Sequence, residues 1–503
     1  MIDQTPAVEP PAANRATRRA AERRGRKLAA LGSGAVLATG AASAALAAFP
    51  SSASAVTIAV SNTNDAGAGS LRQALADANP GDTIDLTGVS GTITLTSGQL
   101  DIDDAVTITG PGASTLAISG NGASRVFQMD SDLGGGTVTI TGVTITGGNT
   151  TGQGAGINFY CDLGSGNLVI DSVVITGNTD EDLGAGLYFD RCHNGSNLTI
   201  TNSVISNNTA TDSGGGGIWF DEGETLTIQN STVANNRSAY YGGGLYFDDG
   251  VNLVVLNSTF SGNQASQGED AEGSGGGIQV TDLTGSALIA NSTIAGNSAI
   301  DNGGGINFES GSLTIEQATI SGNTAGAAGD GLYLGYGSES NAAARAQRGK
   351  QATTDAAEGP SAQAVGTVAI TGTIIAGNAD GTDDVAGGQE AGNTATVTSS
   401  VTGGVNNVNV TDGGGNKTGI TDPGLAALAA NGGPTETMAL LAGSPAIDAG
   451  PNPVPDFPGN EFDQRGGGFP RVVNGVSDIG AFEVQPPEGP APEPLVITPK
   501  FTG

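Results

Sequence analysis

Gly215-Gly-Gly-Ile-Trp-Phe-Asp-Glu-Gly-Glu-Thr-Leu-Thr-Ile-Gln-Asn-Ser-Thr-Val-Ala-Asn-Asn236 is one copy of a unit that recurs through the middle of this 503-residue chain. Its first mark is a glycine cluster leading into an apolar residue. The mark returns before Ile157, Leu187, Ile218, Leu245, Ile278, Ile306 and Leu332, at gaps of 30, 31, 27, 33, 28 and 26 residues. Its second mark is an apolar residue three places before Asn, at Asn178, Asn208, Asn236, Asn263, Asn297, Asn323 and Asn378. Between the marks lie alternating runs such as Leu198-Thr-Ile200, Leu226-Thr-Ile228 and Leu313-Thr-Ile315. Alternation means short strands with one buried face. A unit of about 29 residues built this way cannot bury its own face and must stack on its neighbours. The reading is an all-β fold, a parallel β-helix with one unit per coil. The repeated Asn then forms a side-chain ladder, and the Asn-x-Ser/Thr triplets, as at Asn230-Ser-Thr232, are ladder residues rather than glycosylation acceptors.

Composition agrees. Glycine is 84 residues, aromatics are 4% and charged residues 14%. These values exclude a coiled coil, and no every-third-glycine rule points to collagen. Acids outnumber bases 50 to 18, for a net charge of −32. Seven of the bases lie within the first 27 residues. The rest of the chain would repel phosphate backbones, so nucleic acid is excluded as a partner.

The basic N-terminus precedes an Ala/Leu/Gly-rich run, Leu28–Phe49, and a small-x-small site at Ala53-Ser54-Ala55. Residues 1–55 are expected to be a secretory signal, with an uncleaved membrane anchor as the alternative. Paired arginines at Arg18-Arg19 and Arg23-Arg24 leave general or twin-arginine export open. The expected organisation continues with a β-helix over 56–421 that carries a flexible insertion at 338–366. A distinct block over 422–484 and a Pro-rich tail over 485–503 follow. Ser70-Leu-Arg-Gln73 predicts a capping box, with Leu71, Leu75 and Ala78 on one helical face over the first coil.

Cys161 and Cys192 follow Ile157 and Leu187 by four and five residues, so they should meet on adjacent coils. Export makes a disulfide the expectation and two free thiols the alternative. His193 is the sole histidine, against a His-cluster zinc site or a Ser-His-Asp triad.

Three further stretches carry a resemblance. Ser70-Leu-Arg-Gln-Ala74 with Ala78-Asn-Pro-Gly-Asp-Thr-Ile84 resembles the N-terminal motif of CSLREA-type surface proteins, with Gln73 in place of Glu and no cysteine. The Gly-Gly-x-Ile and Phe-x-x-Asn marks resemble polymorphic outer-membrane-protein repeats, the Phe kept only at Phe260. Asp422-Pro-Gly-Leu425, Asn431-Gly-Gly-Pro-Thr435, Gly443-Ser-Pro-Ala-Ile-Asp-Ala-Gly450, Asp463-Gln-Arg-Gly466 and Asp478-Ile-Gly-Ala-Phe-Glu483 are similar to the choice-of-anchor Q domain of bacterial secreted β-helix proteins. The resemblance implies a right-handed β-helix displayed at, or released from, a bacterial surface. It implies membrane attachment only through an anchor not visible here, and it implies no activity. In the terminal block, Asp448, Asp463 and Asp478 are read as partners of Arg465 and Arg471 that close the last coil. The alternative is calcium, the one cofactor considered.

Chemistry is sought on the strand after each glycine cluster. Ile157, Leu187 and their equivalents should face inward, as should Phe159, Phe189, Phe220, Phe247 and Phe308. Tyr188, Trp219 and Tyr246 fall between them and should form an exposed aromatic stripe, a glycan platform. Asp190, Asp221 and Asp248 should stack beside it, as hydroxyl acceptors or as a catalytic acid/base set. The alternative is a solvated strand edge with aromatics filling the outer pleat. A lyase would need bases, and the strand faces offer Arg125, Arg191 and Arg237. The leading expectation is a monomeric extracellular protein for adhesion or glycan binding. A polysaccharide hydrolase or lyase and a passive stalk are the competing readings.

Overall fold

The computed structural model describes residues 54–130, 133–161, 164–192, 195–265, 273–335, 365–379, 381, 383–388 and 393–486. The expected signal up to residue 53, His193, residues 338–364 of the insertion and the tail beyond residue 486 lie outside them. Everything below belongs to the compact unit that begins at Thr57.

A full coil turns through four walls, and one coil shows the path. Asn197–Thr201 lies in sheet 1, Val204–Ser206 in sheet 2, Thr209–Ala210 in sheet 3 and Ile218–Asp221 in sheet 4. Thr225–Gln229 then pairs in parallel with Asn197–Thr201 and opens the next coil. Among the described residues the four sheets hold 13, 11, 7 and 11 strands. Their pairings are all parallel, and the solenoid is right-handed. At about 4.8 Å per coil, thirteen strands span about 55–60 Å.

The tube is filled by the residues that the alternation turns inward. Phe159, Phe189, Phe220 and Phe247 stack with ring centroids 5.0–5.1 Å apart. Leu198, Ile200, Leu226 and Ile228 face them from sheet 1, fully buried. Each such side chain contributes about 1.5–3 kcal/mol of burial.

The Asn ladder forms as expected. Asn208 Nδ2 donates to Asn236 Oδ1 at 3.0 Å, and Asn208 N–H donates to the same oxygen at 3.1 Å. The pattern repeats from Asn178 to Asn378 and ends on Asp384 Oδ1. Each amide also donates to a carbonyl of the preceding coil, as Asn208 does to Ile175 O. A second ladder, of hydroxyls, was not anticipated: Ser203, Ser231, Ser258 and Ser292 each take a backbone N–H from the coil before. A third runs through Asn202, Asn230, Asn257 and Asn291, all left-handed with φ near +50°.

The N-terminal helix α1, Leu71–Asp77, covers the first coil with Leu71, Ala74 and Leu75 buried. Ser70 Oγ accepts from Gln73 N–H, which is half of the expected capping box. Gln73's side chain turns to Asp77 instead of reaching back. Arg72 ties the helix to the carbonyls of Gly98 and Gln99.

The terminal block corrects one expectation. It caps the solenoid along its flank rather than across its last coil. Thr259 Oγ1 donates to Glu436 O, Thr293 Oγ1 to Gln464 Oε1, and Ala481 N–H to Thr319 Oγ1. Those threonines stand in register on sheet 2. The polar outer rows of these coils can be buried only because the block satisfies them.

Candidate functional site

The column expected as an exposed stripe is in register but not exposed. Tyr188 pairs with Trp219 and Trp219 with Tyr246 across successive sheet 4 strands. Their exposures are 2%, 6% and 2%. They point away from the tube, yet a roof lies over them. Tyr240, Tyr241 and Ala239 form an apolar cluster with them outside the main core, and Leu183 packs against it. The glycine turns bring the roof close. Gly184 has φ +66°, and a Cβ there would stand 2.9 Å from Trp219 Cβ. Trp219 and Tyr246 stack face to face at 4.1 Å. Strand alternation distinguishes inside from outside the tube and carries no information about a roof. The one available signal was the placement of Tyr240-Tyr241 just before Gly242.

Beside this column stand Asp190, Asp221 and Asp248, as expected. Asp221 and Asp248 are direct register partners. Asp190 and Asp248 are buried and Asp221 is half-buried. The tyrosines reach along their strands to the acids: Tyr188 Oη donates to Asp190 Oδ2, and Tyr246 Oη to Asp248 Oδ2 at 3.4 Å. Arg191 N–H donates to Asp190 Oδ1 at 2.5 Å. Sequence reasoning missed how each strand ends. Arg191, Glu222 and Asp249 follow the three acids in left-handed conformations, with φ of 53°, 52° and 45°. They form the outer corner of three consecutive coils. The same corner recurs at Asp282 in the next coil, with φ 49°, so the left-handed turn is a repeated feature of this wall.

Burial drives the Asp190 carboxyl up to about 7. The Tyr188 hydrogen bond opposes that rise, the Glu222 charge adds to it, and Arg191 opposes it. Tyr188 is pushed well above its usual value by burial and by Asp190. On sheet 3, Asp180 is raised to about 8, chiefly by burial. Its Oδ1 takes Asp182 N–H, while its Oδ2 is buried without a hydrogen bond.

Cys161 and Cys192 form the expected disulfide, with Cα atoms 4.9 Å apart. It joins two coils just past Tyr160 and Asp190, so it fixes the end of the acidic column. Of the basic residues considered for a lyase, Arg125 is committed to Gln153 O, Gly154 O and the side chains of Gln99 and Gln128. Arg237 is exposed on sheet 3, and Arg191 alone stands at the corner.

In the terminal block, Asp463 pairs with Arg465 at 2.5 Å, the expected pairing. The Arg465 guanidinium lies between the Phe469 and Phe482 rings, 4.0 and 3.8 Å from their centroids. Arg471 departs from expectation. It is fully buried and donates to Gly480 O, Ala481 O and Asn291 Oδ1, so it ends the third Asn ladder. Asp478 accepts N–H groups of Asp448 and Val484, each at 2.7 Å. Burial raises Glu483 to about 8 and lowers Arg471 to about 10. Among the described residues, no cluster of three or more His, Cys, Asp or Glu side chains is arranged to hold a metal ion.

A family profile described as "Right handed beta helix region" matches residues 99–239 and, again, 133–347. With the coil path above, it makes the chain a right-handed parallel β-helix repeat protein. No curated protein matches the chain. Among solved structures, pectate lyase Pel9A is similar at 16% identity and TM-score 0.49, over 86% of this chain and 97% of that one. The catalytic unit of a GH87 α-1,3-glucanase from Streptomyces thermodiastaticus strain HF3-3 is similar at 16% identity and TM-score 0.35, over 74% and 71%. The PL6 family alginate lyase AlyGC is similar at 14% and 0.33, over 80% and 60%. Likeness at this level is a likeness of repeat architecture only.

Proposed function

We propose that the chain is an exported β-helix, displayed at a cell surface or released, that binds extracellular glycans without cutting them. Its contact site is the acidic corner of sheet 4. The observation that carries this reading is the set Asp221, Glu222, Asp249 and Arg191 at one outer corner of three consecutive coils. Carboxylates and a guanidinium held on a rigid, disulfide-pinned edge are hydrogen-bonding partners for sugar hydroxyls. Asp190 stands behind this corner, buried, with its two carboxylate oxygens taken by Tyr188 Oη and Arg191 N–H. The role given to Tyr188, Trp219 and Tyr246 changes from platform to framework: they hold the acids from behind. Similarity of the terminal block to the choice-of-anchor Q domain, and the basic-then-apolar N-terminus, support export and display. The disulfide is consistent with an oxidising compartment.

A hydrolase is the second reading, and the raised Asp190 favours it. A carboxyl raised to about 7, on the strand next to that of Asp221, offers the acid and carboxylate that glycoside hydrolysis pairs. Against it, both Asp190 oxygens are already engaged by Tyr188 and Arg191 N–H. The test is depletion of the full chain onto a polysaccharide panel while new reducing ends and unsaturated products are followed. Binding without products, lost in Asp221→Asn, is the expected result. Products abolished by Asp221→Asn would establish the hydrolase reading, and no binding at all would leave a passive stalk.

A further inference from the structure

The tube loses its filling at the C-terminal end. Along sheet 4 the inward ring position passes from Phe308 to Leu334 to Gly387. Along sheet 1 the opposite column passes from Leu313 to Val368 to Ala395. The last coil brings Val405 and Val410, which are 36% and 44% exposed, where earlier coils bury their side chains. These positions leave a cavity of about 420 Å³, walled by Val385, Ala395, Val397, Val405, Val408 and Val410. Three polar residues of its lining, Asp412, Asn416 and Thr418, reach the surface and form its rim.

Asp412 breaks the pattern of its column. Every register partner before it on sheet 1, from Ile58 through Ile140 and Ile228 to Val397, is isoleucine or valine. Its Oδ1 accepts Gly414 N–H at 2.8 Å and Asn416 Nδ2 at 2.6 Å, while its Oδ2 takes no hydrogen bond among the described residues. A second acid, Asp384, lies beside Gly403 of the lining, and its Oδ2 accepts Gly404 N–H at 3.1 Å. Lys417 belongs to a different face, because it continues the outward sheet 2 column of Thr319, Ile374 and Val401. The rim is therefore negative and the walls are apolar. An apolar cavity of about 150 Å³ stays dry and takes one benzene ring. On that scale this one holds an apolar body of about fifteen non-hydrogen atoms, which is the size of a small-molecule site. Apolar walls leave the hydroxyls of a sugar without partners, and an acid at the rim selects a positive head.

We propose that the C-terminal mouth of the tube is a binding site for a small cationic amphiphile, with its apolar body among the valines and its ammonium head at Asp412. The site is separate from the acidic corner of sheet 4 and independent of the glycan reading. The test uses the full chain at pH 7 with the neutral fluorophore N-phenyl-1-naphthylamine, displaced by decylamine, decanol and decanoate below their micelle concentrations. The fluorophore should bind with blue-shifted emission. Decylamine should displace it at about tenfold lower concentration than decanoate, since attraction to Asp412 becomes repulsion. Asp412→Asn keeps an acceptor for Gly414 N–H, and it should erase that preference while decanol still competes. Ala395→Leu, which returns the side chain of Leu313 to the column, should abolish fluorophore binding with the melting temperature unchanged or raised. Ala395→Val should weaken binding by less, and Asp221→Asn should leave it unchanged. The inference is overturned if the fluorophore does not bind, if both Ala395 variants bind it as the parent does, or if decanoate competes as well as decylamine. It also falls if binding appears only in Leu495→Ser with Ile497→Ser, because the chain's own tail would then hold the cavity.

Discussion

Two aromatic columns occupy the same sheet 4 strands, one residue apart. Phe189, Phe220 and Phe247 fill the tube, and Tyr188, Trp219 and Tyr246 stand on its outer wall. Both are buried. The inner column is buried by the fold's own closure, the outer one by loops that lie over it. The difference shows that in a solenoid "outward" and "exposed" are separate properties. Four walls define the first, and whatever the turns carry defines the second. The same distinction governs sheet 2, where Thr259, Thr293 and Thr319 point outward yet lie under the terminal block.

The contrast can be tested from the inside outward. Phe220→Ala should have the largest effect, about 3–5 kcal/mol of lost stability, because a stacked ring vanishes from a closed core. Trp219→Ala should cost less globally. Its main readout should be faster amide exchange through residues 237–244, as the roof loosens over the gap. A cost within about 0.5 kcal/mol, typical of a surface site, would show that the roof does not form.

Replacing Cys161 and Cys192 by Ser should cost about 2–4 kcal/mol in thermal melts. The loss should concentrate at the coil corner that carries the acids. Asn236→Ala should cost about 1–3 kcal/mol, because Asn208 loses its acceptor in a buried ladder.

The smallest expected effect is a pH dependence. Asp180, Asp190 and Glu483 sit at about 8, 7 and 8 in the folded chain, above ordinary values of 3.8 to 4.5. The fold therefore binds protons more tightly than the unfolded chain at these three groups. Their favourable contribution is complete below those ordinary values and is lost as pH rises through 7 to 8. The melting temperature should be higher at pH 5 than at pH 9. General repulsion in so acidic a chain acts in the same direction. Asp180→Asn should narrow the gap, and an unchanged gap would mean that Asp180 is not held protonated.

Much of this was legible in the residues. Seven Gly clusters and seven Asn in phase can satisfy their spacing only as stacked coils, and the inward Phe column followed from alternation. The disulfide followed from near-equal offsets, four and five residues, on adjacent coils. What stayed hidden depends on contacts without local pattern. Thr293 meets Gln464 across 171 residues, so nothing near either residue signals that the block runs along the flank. The roof escaped notice because Tyr240-Tyr241 falls in a turn, where periodicity says nothing. Arg191 and Glu222 escaped because a left-handed corner is expected of Gly, Asn or Asp, and these positions hold longer charged residues.

Trp219 is the only tryptophan in the chain, so its fluorescence reports on the outer column alone. Acrylamide quenching of the full chain, with and without a bound glycan, tests the account most directly. A roofed framework predicts blue-shifted emission, weak quenching and no change on glycan binding, with contact made at the acidic corner instead. Red-shifted emission, quenched as readily as free tryptophan and protected when glycan binds, would contradict the account. It would restore Tyr188, Trp219 and Tyr246 as an open stacking platform.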